Sequence, residues 1–232
     1  LPFVHLPEAR AAKPGYLTFG LSSFPPTIAP WANTGTAAGT VKLMIYRGLT
    51  SYGPDGALRP ELAESWRQVG ATGWEFKLRD ATFHNGQKFT SADVKWTIEQ
   101  VAADSSTAHF RNQFRDAEAI ETPDDRTVRI IMKSPVSMLP EWMASYHMPI
   151  ISRSSARGTF VGAGPFMIKS QERGVAIELE PFTNFHRKGL PKLKGLRAVA
   201  YADENLRVAA LRSGEQPERS MVISPRFTVI FT

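Results

Sequence analysis

The sequence predicts a mixed α/β or α+β fold. Short runs that alternate apolar and polar residues, such as "WEFKLRD" and "TVRIIM", are typical of half-buried strands. Other stretches carry an apolar stripe at helical spacing behind a capping residue. These strands and helices follow one another without a regular strand–helix–strand repeat, which favours this class over a doubly wound fold.

The first elements are a strand and a helix. "YLTFGL" (16–21) alternates as a strand, and the prolines and serines of "SSFPPTIAP" end it in a loop. Thr36 is expected to cap a helix, and Gly48 to provide its left-handed end. The apolar stripe of that helix consists of Ala37, Val41, Met44 and Ile45.

A turn-rich link follows at "SYGPDGALRP", where Pro54, Asp55 and Gly56 each favour a bend. Pro60 then predicts a short helix over 61–66, with Glu61 near its positive end. After this helix, "WEFKLRD" predicts a strand with Trp74, Phe76 and Leu78 on one face.

Asn85-Gly86 predicts a tight hairpin turn, because both residues tolerate a positive φ. Thr90 and Asp93 have the spacing of a capping box, which starts a helix that ends near Ala103. Further strands are predicted at 127–132, 166–170 and 175–180, the last two joined by a turn at 172–174. A final helix is predicted at about 205–213, ended by Gly214.

Composition limits the class of protein. The chain has 232 residues, 42% of them hydrophobic, which is enough to bury a core as one large or two small domains. It has no cysteine, which excludes disulfides, thiolate metal sites and a lipid-anchoring cysteine within it. No window resembles a membrane span, and residues 1–16 show no signal-peptide pattern.

Catalytic and cofactor motifs are missing from the sequence. The five histidines lie far apart, and neither "HExxH" nor "GxSxG" occurs. "GAGPFM" places Pro165 and Met167 where a dinucleotide fingerprint needs a helix start and its third glycine. We therefore expect no enzyme activity, no cofactor and no metal.

The distribution of basic residues leaves one alternative function open. The net charge is +6, and the densest basic run is "HRKGLPKLKGLR" (186–197). Such a run is compatible with binding to nucleic acid or to an anionic surface. Its proline and two glycines favour a solvated loop instead, so we expect no nucleic-acid partner.

Seven sequence motifs occur in the same order as in a known protein family. "YRGL", "PELAESW", "WEFKLRD", "FHNGQKFTSADV", "GAGPFMI", "NFHRKG" and "RVAALRSGE" occur in succession. In this order the chain resembles the family 5 extracellular solute-binding proteins, the peptide, nickel and opine receptors of ABC importers. The resemblance implies the first lobe of a two-lobe periplasmic-binding-protein-like fold (class II, cluster C), in which "PELAESW" is structural.

The resemblance also implies a domain organisation. Residues 1–15 form an N-terminal extension, and 16–200 form the first lobe with a subdomain at about 50–160. Residues 201–215 begin a crossover towards a second lobe that this chain lacks. Residues 216–232 form a tail unlike the family, which a frameshift, a truncation or a true one-lobe protein would explain.

The ligand-binding residues are carried over from the family. The family's first-lobe cleft is lined by the loop after the first strand, by the start of the first long helix and by the chain before "GAGPF". These positions are Ser23, Phe24, Asn33, Thr34, Tyr146, His147, Met148 and Gly164.

Each of these positions also has a structural interpretation. Asn33 and Thr34 suit helix capping, Tyr146 and Met148 suit a core, and a lone His147 is more often satisfied or exposed. Gly164 suits backbone shape, and the family's usual threonine beside it is an alanine here.

The function that the resemblance implies is non-enzymatic. The chain is expected to be the extracytoplasmic component of an ABC importer that captures a peptide-like or related small solute in the periplasm. Its partners would be that solute and the transporter's membrane subunits. The alternative is a single lobe that binds no solute and acts as a structural, regulatory or self-associating protein, for which we expect a homodimer through exposed first-lobe surface.

Overall fold

Two four-stranded sheets and a two-stranded hairpin organise the chain. The computed structural model describes residues 15–32, 34–157, 160–201, 203, 205 and 208. Its strands are β1 (Tyr16–Leu21), β2 (Thr50–Tyr52), β3 (Leu58–Pro60), β4 (Ala63–Val69), β5 (Gly73–Leu78), β6 (Ala117–Asp124), β7 (Thr127–Met132), β8 (Phe166–Glu172), β9 (Ala176–Pro181) and β10 (Gly195–Ala200). Its α-helices are α1 (Thr36–Ile45), α2 (Ser91–Ala102), α3 (Arg111–Arg115) and α4 (Leu139–Trp142), and a 3₁₀ helix spans Arg153–Arg157.

The first sheet joins residues from both ends of the described chain. Its strand order is β1-β10-β9-β8, with β1 parallel to β10 and the other pairs antiparallel. Helix α1 packs on this sheet. The side chains between them, called the first-sheet core below, include Phe19, Leu21, Val41, Met44, Ile45, Ile177, Leu179 and Leu196.

The second sheet is antiparallel throughout, with the order β4-β5-β7-β6. It lies within the predicted subdomain, and α2 packs against it. The second-sheet core includes Leu62, Phe76, Leu78, Val94, Ile98, Val128, Ile130 and Met132. Trp31 packs against both cores, so the loop after β1 lies where they meet.

Several local predictions are confirmed. The strands predicted around Trp74 and at 127–132, 166–170 and 175–180 are present as β5, β7, β8 and β9. Gly86 and Gly174 have φ of 81° in their predicted turns. The capping box forms, since the Thr90 amide donates to Asp93 Oδ2 at 3.0 Å, and α2 ends at the predicted place.

The predicted helix over 61–66 is wrong. Residues 63–69 form β4, which pairs with β5 through contacts such as Trp66 opposite Phe76. A six-residue helix is marginal in water, whereas this pairing supplies a full ladder of hydrogen bonds. Gly70, with φ of 64°, makes the turn between the two strands.

The ends of α1 also differ from the prediction. Gly35, not Thr36, occupies the N-cap position, and the helix ends at Ile45 in an extended Tyr46. Gly48 does not adopt positive φ. It is needed because a Cβ there would lie 2.0 Å from the carbonyl oxygen of Met143, so the glycine allows two backbones to approach closely.

The basic run 186–197 is not purely a loop, since β10 begins at Gly195. Arg197 pairs with Glu178 at 2.8 Å, while Lys188, Lys192 and Lys194 are exposed. The predicted extension 1–15, crossover 201–215, tail 216–232 and last helix lie outside the described residues, apart from Gly15, Tyr201, Asp203, Asn205 and Val208. Within the described ranges, no helix combines the length and apolar character needed to cross a membrane.

Candidate functional site

The predicted binding residues fall into two groups around α1. Ser23 is exposed, and Phe24 is partly buried against the first-sheet core. Asn33 lies outside the described residues. Thr34, Tyr146 and His147 come together near the start of α1. Met148, which follows His147, and Gly164 lie in packed surroundings.

Tyr146 connects the start of α1 to the segment 146–148. Its hydroxyl donates to the carbonyl oxygen of Thr34 at 3.3 Å. Its ring lies against the helix, because a Cβ at Gly39 would be 3.0 Å from the ring. The glycine in the second turn of α1 therefore makes room for the tyrosine, and residues separated by more than a hundred positions become neighbours.

His147 is buried beside Tyr146. Its ring stacks on His109 with centroids 4.5 Å apart, and lies 4.0 Å from the ring of Tyr146. Only 8% of the residue is exposed, and Nε2 has no hydrogen-bond partner among the described residues. Burial, together with the charges of His109 and Lys42, lowers the pKa of His147 to about 4, so the imidazole is neutral at pH 7.

Lys42 is a member of this region that the sequence analysis missed. It is 1% exposed, and its Nζ donates to the carbonyl oxygen of Ala32 at 2.7 Å. Burial lowers its pKa to about 8, and no carboxylate offsets this effect among the described residues. A signal was present, because Lys42 follows Ala38 by four residues and precedes Ile45 by three, on a face where both neighbours are buried.

Met148 and Gly164 have structural surroundings. Met148 is fully buried in the second-sheet core. The amide of Gly164 donates to the carbonyl oxygen of Ile45 at 2.9 Å, and a Cβ at this glycine would lie 2.4 Å from the carbonyl carbon of Ile45. His84 Nε2 donates to the carbonyl oxygen of Gly164 at 3.0 Å. The "GAGPF" segment is thus held tightly against the end of α1.

Aromatic contacts anchor the loop before α1. The indole nitrogen of Trp31 donates to the carbonyl oxygen of Pro149 at 3.1 Å. Its ring lies 6.1 Å from Trp96 and 6.3 Å from Phe160, which is 42% exposed. The hydrogen bond to Pro149 thus holds the loop next to the chain that follows the segment 146–148.

A separate buried cluster unites two of the sequence motifs. Glu61 of "PELAESW" accepts a hydrogen bond from His186 Nε2 of "NFHRKG" at 2.8 Å and also pairs with Arg187. Arg47 Nε lies 3.4 Å from the same carboxylate, and its guanidinium lies over the ring of Phe185. Burial raises the pKa of Glu61, but these partners outweigh it and lower that pKa to about 2.

The arrangement around α1 is suited to holding a solute through hydrogen bonds, aromatic surface and a buried positive charge. Within the described ranges, no three histidines, cysteines, aspartates or glutamates are placed to hold a metal ion.

Comparison with known proteins identifies relatives. The family model described as "Bacterial extracellular solute-binding proteins, family 5 Middle" matches residues 57–217. The glutathione-binding protein GsiB of Pectobacterium atrosepticum is 27% identical over 217 residues, covering 88% of this chain and 41% of the relative. A putative ABC transporter peptide-binding protein of Brucella ovis is 32% identical over 154 residues, covering 61% of this chain and 29% of the relative.

Solved structures of binding proteins are also similar to this chain. The PBP AgaA of A. tumefacien R10, in complex with agropinic acid, has a TM-score of 0.84 and 39% identity over 87% of this chain and 43% of its own. The PBP/SBP MoaA of the same source, in complex with mannopinic acid, has a TM-score of 0.78 and 27% identity over 87% of this chain and 44% of its own. The chain thus matches 29% of the length of the Brucella protein and 41% to 44% of the length of the other three.

Proposed function

Because the chain belongs to family 5 of the bacterial extracellular solute-binding proteins, we propose that it serves as the solute-capturing component of an ABC importer in the periplasm. The observation that carries this proposal is the family match over 57–217. The solute would be peptide-like or a related small molecule, since relatives are named for glutathione, peptides and opines. The transporter's membrane subunits would be its partners.

The proposed capture surface is the face beside the start of α1. Of the positions assigned from the family, Thr34, Tyr146 and His147 are adjacent, which supports this location. Ser23 and Phe24 belong to the loop between β1 and α1, which leads to this face. The assignment of Asn33, Met148 and Gly164 remains part of the proposal, with the backbone of Gly164 shaping the site.

The proposed mechanism is capture without chemistry. In a two-lobe receptor the solute binds between the lobes and favours the closed form through contacts made only there. One lobe supplies roughly half of these contacts. This chain spans about two-fifths of its relatives, so we expect it to bind weakly by itself and to catalyse no reaction.

Thermal denaturation with added solute tests the proposal. A solute that binds only the folded chain raises its melting temperature. We expect a rise with at least one of agropinic acid, glutathione or a dipeptide, and loss of that rise in Tyr146→Ala. The matched control is Tyr52→Ala, because Tyr52 is 55% exposed on the hairpin.

A flat response of the unaltered chain to all three solutes would contradict solute capture by this chain and support the alternative of a non-binding lobe. An equal loss in the Tyr146 and Tyr52 variants would contradict the location of the surface.

A further inference from the structure

We propose that the start of α1 is a subsite for a carboxylate of the captured solute, formed by the first backbone amides of the helix with Lys42 and His147 beside them. This inference rests on the proposed function and specifies its substrate class. The solute would carry at least one carboxylate.

Among the described residues, no side chain caps the start of α1. Gly35 occupies the N-cap and has no side chain to accept from the helix amides. Gly35 and Thr36 are exposed, and no atom lies within 4 Å of a Cβ built at Gly35. The first amides of a helix lack intrahelical partners and bear partial positive charge, which favours an anion.

His147 independently indicates a ligand at this place. More than nine-tenths of the residue is buried, its Nε2 has no partner among the described residues, and the backbone of Thr34 interacts with its ring. Thr34 directly precedes the N-cap, so the imidazole lies next to the open helix start. A buried polar nitrogen normally finds a partner. A carboxylate beside the ring would favour the protonated imidazole, in which both ring nitrogens donate, so Nε2–H could then donate to a carboxylate oxygen.

Lys42 supplies the charge. Its ammonium is buried and donates to the backbone carbonyl of Ala32. A buried charge normally has an opposite charge beside it. Among the described residues no acid pairs with Lys42, and the first turn of α1 contains no acidic residue. A carboxylate of the solute can therefore supply the negative charge that pairs with Lys42.

The test compares each solute as its free acid and as its primary amide. Agropinic acid, glutathione and alanyl-alanine are the probes, and calorimetric titration of the full chain measures their dissociation constants. We expect the acid of the bound solute to bind about tenfold more tightly than its amide, because a charge-assisted bond is replaced by a neutral one.

The variant Lys42→Met distinguishes a role of Lys42 in solute binding from a purely structural role. Methionine keeps the length and removes the charge. It relieves the cost of burying an ammonium without an acidic partner, which offsets the lost hydrogen bond to Ala32. We expect the acid to lose about tenfold in affinity while the amide is unchanged. Lys188→Met, at an exposed lysine of the basic run, is the control and should change neither.

Each outcome decides between the two proposals. Equal binding of acid and amide overturns the carboxylate subsite and leaves solute capture standing. Equal weakening of both by Lys42→Met also overturns it, because the lysine then acts only on the shape of the loop. Binding of none of the probes overturns solute capture and the subsite together.

Discussion

At the scale of single residues, two buried charges have opposite surroundings. Glu61 is surrounded by Arg47, His186 and Arg187, which neutralise it and satisfy its oxygens. Lys42 has one backbone carbonyl and no acid among the described residues. The charge of Glu61 therefore stabilises the fold, whereas the charge of Lys42 has no acidic partner among the described residues and is the one that the proposed subsite uses.

Glu61→Gln tests the structural role of the partnered charge. The variant leaves the buried Arg47 and the partly exposed Arg187 without their counter-charge, so we expect it to lose about 3 kcal/mol of unfolding free energy. Denaturant unfolding at pH 7 measures this loss. The control is Glu64→Gln, since Glu64 is 51% exposed and lies 3.4 Å from Arg126, and should cost less than about 1 kcal/mol.

The same carboxylate predicts a pH dependence. Its folded pKa of about 2 lies below its ordinary value of 4.5, so its stabilising contribution is complete above the ordinary value. It is lost as the pH falls from there through the folded pKa. Glu61→Gln should remove this part of the acid-unfolding curve. An unchanged curve, or equal losses in the Glu61 and Glu64 variants, would contradict the role assigned to the cluster.

At the scale of elements, α2 shows how a local signal and a distant contact reinforce each other. Asp93 Oδ2 accepts from both the amide and the hydroxyl of Thr90, at 3.0 and 2.9 Å. Its Oδ1 accepts from the amide of Arg153 at 3.1 Å. The residue that starts the helix therefore also attaches the 3₁₀ helix to it.

Asp93→Ala should cost more than an ordinary cap because both attachments are lost. We expect about 2 to 3 kcal/mol, against about 1 for an isolated cap. Chemical denaturation measures the loss, and Asp104→Ala is the control, since the side chain of Asp104 is 89% exposed. A cost no greater than that of the control would show that the capping box contributes little.

At the scale of the whole molecule, the site depends on how two cores meet. Trp31 packs against both cores and holds the loop that leads into α1. The segment 146–148 returns to the same place from the second sheet and contacts Thr34 through Tyr146. The proposed subsite therefore requires the whole lobe, and neither sheet would form it separately.

Self-association of the lobe stays a prediction at this scale. Apolar side chains such as Leu43, Ile168 and Phe160 are 41%, 38% and 42% exposed, and β8 lies at one end of the first sheet. Exposed sheet edges with apolar side chains tend to pair. Sedimentation over a wide concentration range should show a reversible dimer, and a constant monomer mass would contradict it.

The sequence by itself determined the fold class, several strands, the turns at Gly86 and Gly174, and the capping box of α2. Each depends on a period or on a contact between near neighbours in the chain. It also determined the family, through motifs in a fixed order. The segment 61–66 was misjudged because its pairing partner, β5, decides its conformation and local propensity does not.

Only the tertiary structure decided the composition of the sites. The parallel pairing of β1 with β10 and the contact between Glu61 and His186 join residues far apart in the chain. The burial of Lys42 without an acidic partner is likewise invisible in a pattern of residues. Burial and charge pairing are properties of neighbours in space, and those neighbours exist only once both sheets have packed.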